Sequence, residues 1–270
     1  MSRHISVTRA FALLTASLIG NAAAASTLPG INIRWDNCFS DGGVMNRTFA
    51  CDTNTGAERA ILSVQLDAEM PEVSGMEIRV SFKAAAPALP AWWEFKNLGT
   101  CRQPSLAFIS SPVVTPGACV DWGGGAQAGG LAAYRIDELG PASAVLLIAA
   151  AVAPSSLADL GPGTEYIVGG LQINHAKTVG AGSCSGCNVP VCILFTSLNV
   201  TTPLIANDRL FTQGANGVSS QIIHWQNGQL TNLVNHCSGT FNCTTQFDCL
   251  AVTPTAARRS TWGDVKSLYR

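Results

Sequence analysis

The residues best placed for chemistry are three cysteines and a histidine. Cys184 and Cys187 form a C-x-x-C pair, Cys192 follows closely, and His175 lies just upstream. Thiolates and an imidazole are good zinc ligands, and short spacing lets one loop supply several. The same pair has the form of a redox motif, but such motifs need a βαβ setting. Gly182-Ser183-Cys184-Ser185-Gly186 has the form of a nucleophile elbow with cysteine in place of serine. An elbow needs a strand before it and a long helix after it. Here Cys187, Pro190 and a β-forming run follow instead. All three readings require reduced sulfur, so the compartment of the chain decides between them.

The first 25 residues bear on that compartment. Arg3 and Arg9 precede the apolar run Ala10 to Gly20, and Ala22 to Ala25 offer small residues to a peptidase. This is the three-part layout of a secretory signal. The apolar run is too short to span a bilayer. We therefore expect a signal peptide over 1–25, a disulfide-bonded domain over 26–252, and a linker with a basic amphipathic tail over 253–270. All ten cysteines lie after the signal: Cys38, Cys51, Cys101, Cys119, Cys184, Cys187, Cys192, Cys237, Cys243 and Cys249. An even count in an oxidising compartment makes disulfides the expected state. Proximity suggests Cys38–Cys51 and Cys101–Cys119. The last six form two clusters of three, so at least one bridge is expected between the clusters.

Two other groups bear on binding. Asp52, Asn54 and Glu58 surround Gly56 and suit a hard cation such as calcium; Asp and Asn are equally common turn residues. Trp92, Trp93 and Trp122 stand beside Glu94 and Asp121, as in a flat aromatic platform for an extracellular glycan, although tryptophans are mostly core residues. His175, His224 and His236 offer a base for a hydrolase, yet spacing reveals no nucleophile or carboxylate to go with them. Asn46, Asn199 and Asn242 begin glycosylation sequons. The formal net charge is −1 and charged residues are 12% of the chain, which leaves no electrostatic footprint for nucleic acid. No second apolar run reads as membrane-spanning.

The elements that must position these residues read as strands. Apolar and polar residues alternate through Ile61–Met70 and Gly75–Lys83, and the turn-like Pro71-Glu72-Val73-Ser74-Gly75 between them predicts a hairpin. Further strands are expected at Leu131–Glu138, Ala144–Val152, Glu165–Asn174, Val191–Thr202 and Ser219–Trp225, with one helical turn at Ser155–Leu160. Thr261 and Asp264 fit a capping box, with Trp262, Val265 and Leu268 or Tyr269 on one face of a terminal helix.

Val73 to Phe82 (VSGMEIRVSF) resembles the opening hairpin of cohesin-like and carbohydrate-binding β-sandwiches. That resemblance spans about a tenth of the chain and implies a fold, with no binding residue carried over. The blocks Trp35-Asp36-Asn37-Cys38, Asn174 to Gly180 and Trp262 to Arg270 are similar to uncharacterised secreted bacterial Cys-rich β-proteins. The tail resembles short C-terminal segments used in export or surface attachment. Together these readings give an all-β antiparallel β-sandwich, jelly-roll or Ig/cohesin-like, stapled by disulfides. The expected role is a secreted or cell-surface, non-catalytic binding or assembly protein, whose partner is a glycan or a surface protein. A carbohydrate-binding module built on tryptophans and a secreted hydrolase with a histidine base are the alternatives.

Overall fold

A computed structural model describes residues 29–251 apart from 116, 118 and 239–241. The signal and the tail expected from the sequence lie outside these residues. Among the described residues the strands are β1 (Gly30–Trp35), β2 (Asn46–Arg47), β3 (Ala57–Gln65), β4 (Met70–Val73), β5 (Gly75–Ala84), β6 (Leu106–Ile109), β7 (Val120–Asp121), β8 (Ala128–Ile136), β9 (Ser143–Ala151), β10 (Ala158–Leu160), β11 (Glu165–Asn174), β12 (Val191–Thr201), β13 (Arg209–Phe211), β14 (Ala215–Gly217), β15 (Ile222–Trp225), β16 (Gly228–Ser238) and β17 (Asn242–Ala251). A single helical turn, α1 (Val218–Gln221), precedes β15. The chain is all-β and sandwich-like. No described helix is long and apolar enough to cross a membrane.

Two sheets make the sandwich. The first runs β1-β3-β11-β6, with β7 parallel to β11. The second runs β2-β15-β12-β5-β9-β8, with β13 on β12. Alternation decides which side chains meet between them. Ile31, Ile33, Trp35, Leu62, Val64, Leu171 and Ile173 come from the first sheet, and Ile78, Val80, Phe82, Leu146, Ile148, Ile193 and Phe195 from the second; all belong to one buried cluster. Close approach sets the shape locally. A Cβ on Gly169 would lie 2.3 Å from a ring carbon of Phe108, so glycine lets β6 and its aromatic ring sit against the bulge in β11.

The 61–83 hairpin does not form. β3 pairs with β1 and β11 in the first sheet, whereas β5 pairs with β12 and β9 in the second. The residues between them cross from one sheet to the other, and β4 pairs with β10 on the way. Each alternating strand needs a partner sheet across its apolar face, and strands in one hairpin would share one sheet. The helical turn expected at Ser155–Leu160 is a 3-10 turn at Pro154–Ser156 followed by β10.

Aromatic rings fill the core at one end. Trp92 and Trp93 sit on a 3-10 turn at Ala91–Trp93 and are fully buried with Trp35, Trp225 and Phe95. Trp225 stacks on Trp92 at 5.2 Å between ring centroids. Arg102 closes this plug with its guanidinium 3.6 Å from the Trp92 ring centroid. It donates to the carbonyls of Trp92 and Asn174. Burial pulls its pKa down to about 9, so the side chain is still charged near neutral pH.

Four disulfides tie the loops to this frame among the described residues: Cys38–Cys119, Cys51–Cys187, Cys101–Cys184 and Cys192–Cys249. The pairs suggested by proximity, Cys38–Cys51 and Cys101–Cys119, are therefore wrong. The sheets bring loops together that are far apart in sequence, and spacing along the chain carries no record of that. The expected bridge between the last two clusters is present as Cys192–Cys249. Cys237 and Cys243 are register partners across β16 and β17.

Candidate functional site

The residues singled out in the sequence are mostly engaged in holding the fold. Cys184 and Cys187 bond to two different partners, so they are neither a redox pair nor zinc thiolates, and Cys184 is no nucleophile. Trp92 and Trp93 are 0% exposed and Trp122 is 3% exposed. A ring buried on both faces has none to offer a sugar, and the tryptophan platform is withdrawn on that ground. The three rings instead serve the sandwich, as apolar area of that size is best removed from water.

The proposed calcium ligands do not share an open donor set. Asn54 Oδ1 accepts from the Thr178 and Val179 amides at 2.7 and 3.0 Å, and its Nδ2 donates to the Val179 carbonyl. Glu58 lies between Arg47 Nε at 3.1 Å and His175 Nε2 at 3.2 Å, while Asp52 is exposed. Asn54 thus pins the 53–56 turn to the 175–180 loop. Among the described residues, the group of His, Cys, Asp or Glu donors that could surround an ion is Cys38, Asp41 and Cys119. Those two sulfurs are bonded to each other, which removes them as thiolates.

The histidines are placed as follows. His175 is buried and stacked on Phe49 at 3.8 Å between centroids. Its Nδ1 meets the Thr55 carbonyl at 2.8 Å and its Nε2 faces Glu58. His224 is buried as well. Burial, and then the Arg34 charge, hold its pKa below the usual imidazole range. Among the described residues neither ring is paired with a hydroxyl or thiol, and His224 Nδ1 has no hydrogen-bond partner. His236 is on β16, the register partner of Thr244.

A second buried polar group lies on the outer face of the first sheet. Glu165 accepts from the Phe39 and Ser40 amides at 3.1 and 2.7 Å, from Asn32 Nδ2 and from Ser63 Oγ. Arg34 nearby donates to the carbonyls of Ile33, Ser219, Ser220 and Ile222. The Glu165 bonds fasten the 36–44 loop, which Cys38–Cys119 also anchors, and the Arg34 bonds hold the α1 turn and the start of β15. They read as structural.

The outer face of the second sheet is different. Its half nearest Lys83 is covered by the β16–β17 hairpin, where Phe247 and Cys249 pack on Cys192, Leu194 and Ile222. Its other half is open and forms a trough of about 270 Å³ lined by Glu77, Arg79, Ala132, Leu147, Ala149, Ser197, Asn199 and Leu210, with Ile78 and Ile148. Register explains the arrangement: Glu77 is opposite Asn199 and Ala149, and Arg79 is opposite Ser197 and Leu147. A bulge between Phe195 and Ser197 keeps Ser197 and Asn199 on this face.

The polar groups of the trough are organised. Asn199 Nδ2 donates to Glu77 Oε2 at 3.1 Å. Arg79 Nη2 meets Glu138 Oε1 at 2.7 Å, and Arg135 meets the other Glu138 oxygen at 3.3 Å. Asn199 is 6% exposed, and its Oδ1 has no hydrogen-bond partner, nor has Arg79 Nε. A buried acceptor or donor without a partner costs about 1–3 kcal/mol, and here one of each lines the same hollow. A larger hollow of about 620 Å³ lies between Lys83–Pro87 and the hairpin. Its Asn232 amide is already spent on Asp248, so it lacks such a pair.

The sequence marks Glu77 and Arg79 as the wet side of a strand, but alternation does not say which wet face will be hollow. Asn199 begins a sequon but is buried and bonded to Glu77, so the folded sheet has no room for a glycan there, whereas Asn46 is exposed. No family model, no curated protein and no solved structure matches the chain.

Proposed function

We propose that this chain is an exported, non-catalytic binding protein, secreted or held at the cell surface, that meets its ligand in the trough over β5, β9 and β12. The observation that carries the reading is the pair of unpartnered polar atoms, Asn199 Oδ1 and Arg79 Nε, on a rigid sheet face. Both atoms are closed to solvent at rest, and a ligand that engages them after a small side-chain movement relieves two unpaired groups. The four bridges suit an oxidising compartment and so support export. His175 is engaged by Thr55 and Glu58, and no hydroxyl or thiol is paired with either ring, so the hydrolase alternative has no observation of its own.

Filling the trough tests the proposal. Ala149 is exposed and takes part in none of the trough's hydrogen bonds. Ala149→Trp is expected to reduce co-sedimentation of the protein with insoluble extracellular material of the producing cells at least tenfold. Thermal stability should hold, because exposed substitutions change it by about 0.5 kcal/mol or less. Undiminished co-sedimentation at unchanged stability would show that this face is not the contact surface.

A further inference from the structure

We propose that the ligand of the trough is a neutral saccharide, held by its hydroxyl groups rather than by charge or by aromatic stacking. The inference rests on the trough being the binding surface and adds the chemistry of what binds there.

Charge gives the first argument. The ionic groups around the hollow are Glu77, Arg79, Arg135 and Glu138, two of each sign. Arg79 and Arg135 are both paired to Glu138, and Glu77 is bonded by Asn199. An anionic ligand would have to compete with Glu138 for Arg79, and a cationic one at Glu77 would meet the Arg79 charge two residues along the same strand face. Neither sign is favoured, so the site suits a neutral polar molecule.

Hydrogen bonding gives the second. The two unpartnered atoms are an acceptor on Asn199 and a donor on Arg79, on diagonal positions of neighbouring strands and both closed to solvent at rest. A hydroxyl both donates and accepts, and a sugar ring carries several at fixed spacing. A small rotation of the two side chains would let one ring donate to Asn199 Oδ1 and accept from Arg79 Nε. Leu147, Ala149 and Leu210 supply an apolar floor for the C–H surface of the ring. The trough volume of about 270 Å³ is at the small end of ligand pockets, a space for one or two sugar units.

Topology argues against an extended peptide. Peptides that dock on sheets gain affinity from main-chain bonds to an open edge. The floor here is β12, β5 and β9, each flanked by neighbours on both sides. Their backbone groups are spent in the ladder, and a peptide laid across them would gain no such bonds. The lining also contains no aromatic ring. Binding is therefore expected to be weak for a single site, with a Kd on the order of 1 mM.

The test is an amide NMR titration of the oxidised full chain with three sets of probes. These are neutral hexose oligosaccharides of gluco, galacto and manno configuration, uronic-acid oligosaccharides, and a β-forming peptide. Saturable shifts at Glu77, Arg79, Leu147, Ala149, Ser197 and Asn199 with a neutral oligosaccharide are the expected result. Arg79→Met and Asn199→Ala should each weaken that binding about tenfold, the loss expected when one hydrogen bond to a charged or buried group is removed. If Asn199→Ala melts early, Arg79→Met alone carries the comparison. Trough shifts with the uronic acids or the peptide, and none with neutral sugars, would overturn the saccharide and leave the trough as the binding surface. Silence of the trough with all three probes would overturn the saccharide. Together with undiminished co-sedimentation of Ala149→Trp, it would remove the binding-surface reading as well.

Discussion

Trp225→Ala is expected to cost about 3–5 kcal/mol of stability, the range for truncating a large buried aromatic. The ring is 0% exposed and lies at the centre of the aromatic plug. Its centroid is 5.2 Å from Trp92, 5.5 Å from Trp93, 6.1 Å from Trp35 and 6.0 Å from Phe49. Its Nε1 donates to the Cys187 carbonyl at 2.7 Å, so the alanine variant leaves both a cavity and an unpaired buried carbonyl. Four other aromatics surround the site, and stiff rings collapse poorly into a void. For a chain of this size a loss of 3–5 kcal/mol lowers Tm by roughly 6–20 °C. Trp225→Phe should recover part of it by refilling the volume. Denaturant unfolding checks the value; a loss below about 1 kcal/mol would mean that the plug is not packed around this ring.

Removing the Cys101–Cys184 bridge by replacing both cysteines with serine should be comparably damaging. The bridge closes a loop with a sequence separation of 83, and the chain-entropy argument assigns a loop of that length about 4–5 kcal/mol. The local consequence is specific to this chain. Arg102 is next to the bridge, fully buried without a carboxylate partner, and held by two carbonyls and the Trp92 face. Freed from the bridge, the 96–104 segment can move Arg102 into water, where its charge is better solvated. The expected signature is a lower Tm together with loss of near-ultraviolet tryptophan dichroism, since Trp92 loses its cover. An unchanged Tm in the double-serine variant would show that the loop is held by packing alone.

Strand periodicity was the part of this structure legible in the sequence. Glu165–Asn174 is β11 as expected, and β5, β9 and β12 fall within one or two residues of their expected bounds. The all-β class followed from them. What alternation cannot carry is the assignment of strands to sheets. β3 and β5 look like two arms of one hairpin, yet they face each other across the core. The disulfides failed for the same reason: Cys51 and Cys187 are distant in sequence and meet because the fold brings their loops together. Trp92, Trp93 and Trp122 beside acids looked like a ligand platform because exposure is invisible in residue type. The trough was hidden for a subtler reason. Asn199 and Arg79 become neighbours through the β5–β12 register and the bulge after Phe195, and neither feature has a sequence mark.

We propose an oxidised, exported sandwich whose loops are locked so that one sheet face can serve as a binding surface. A non-reducing peptide map of the protein recovered from outside its producing cells tests this most directly. The account predicts cross-linked peptides joining Cys38 to Cys119, Cys51 to Cys187, Cys101 to Cys184 and Cys192 to Cys249. Links between Cys38 and Cys51 or between Cys101 and Cys119 would contradict the fold that builds the trough. Recovery only inside the cell with free thiols would contradict export, and with it the extracellular binding role.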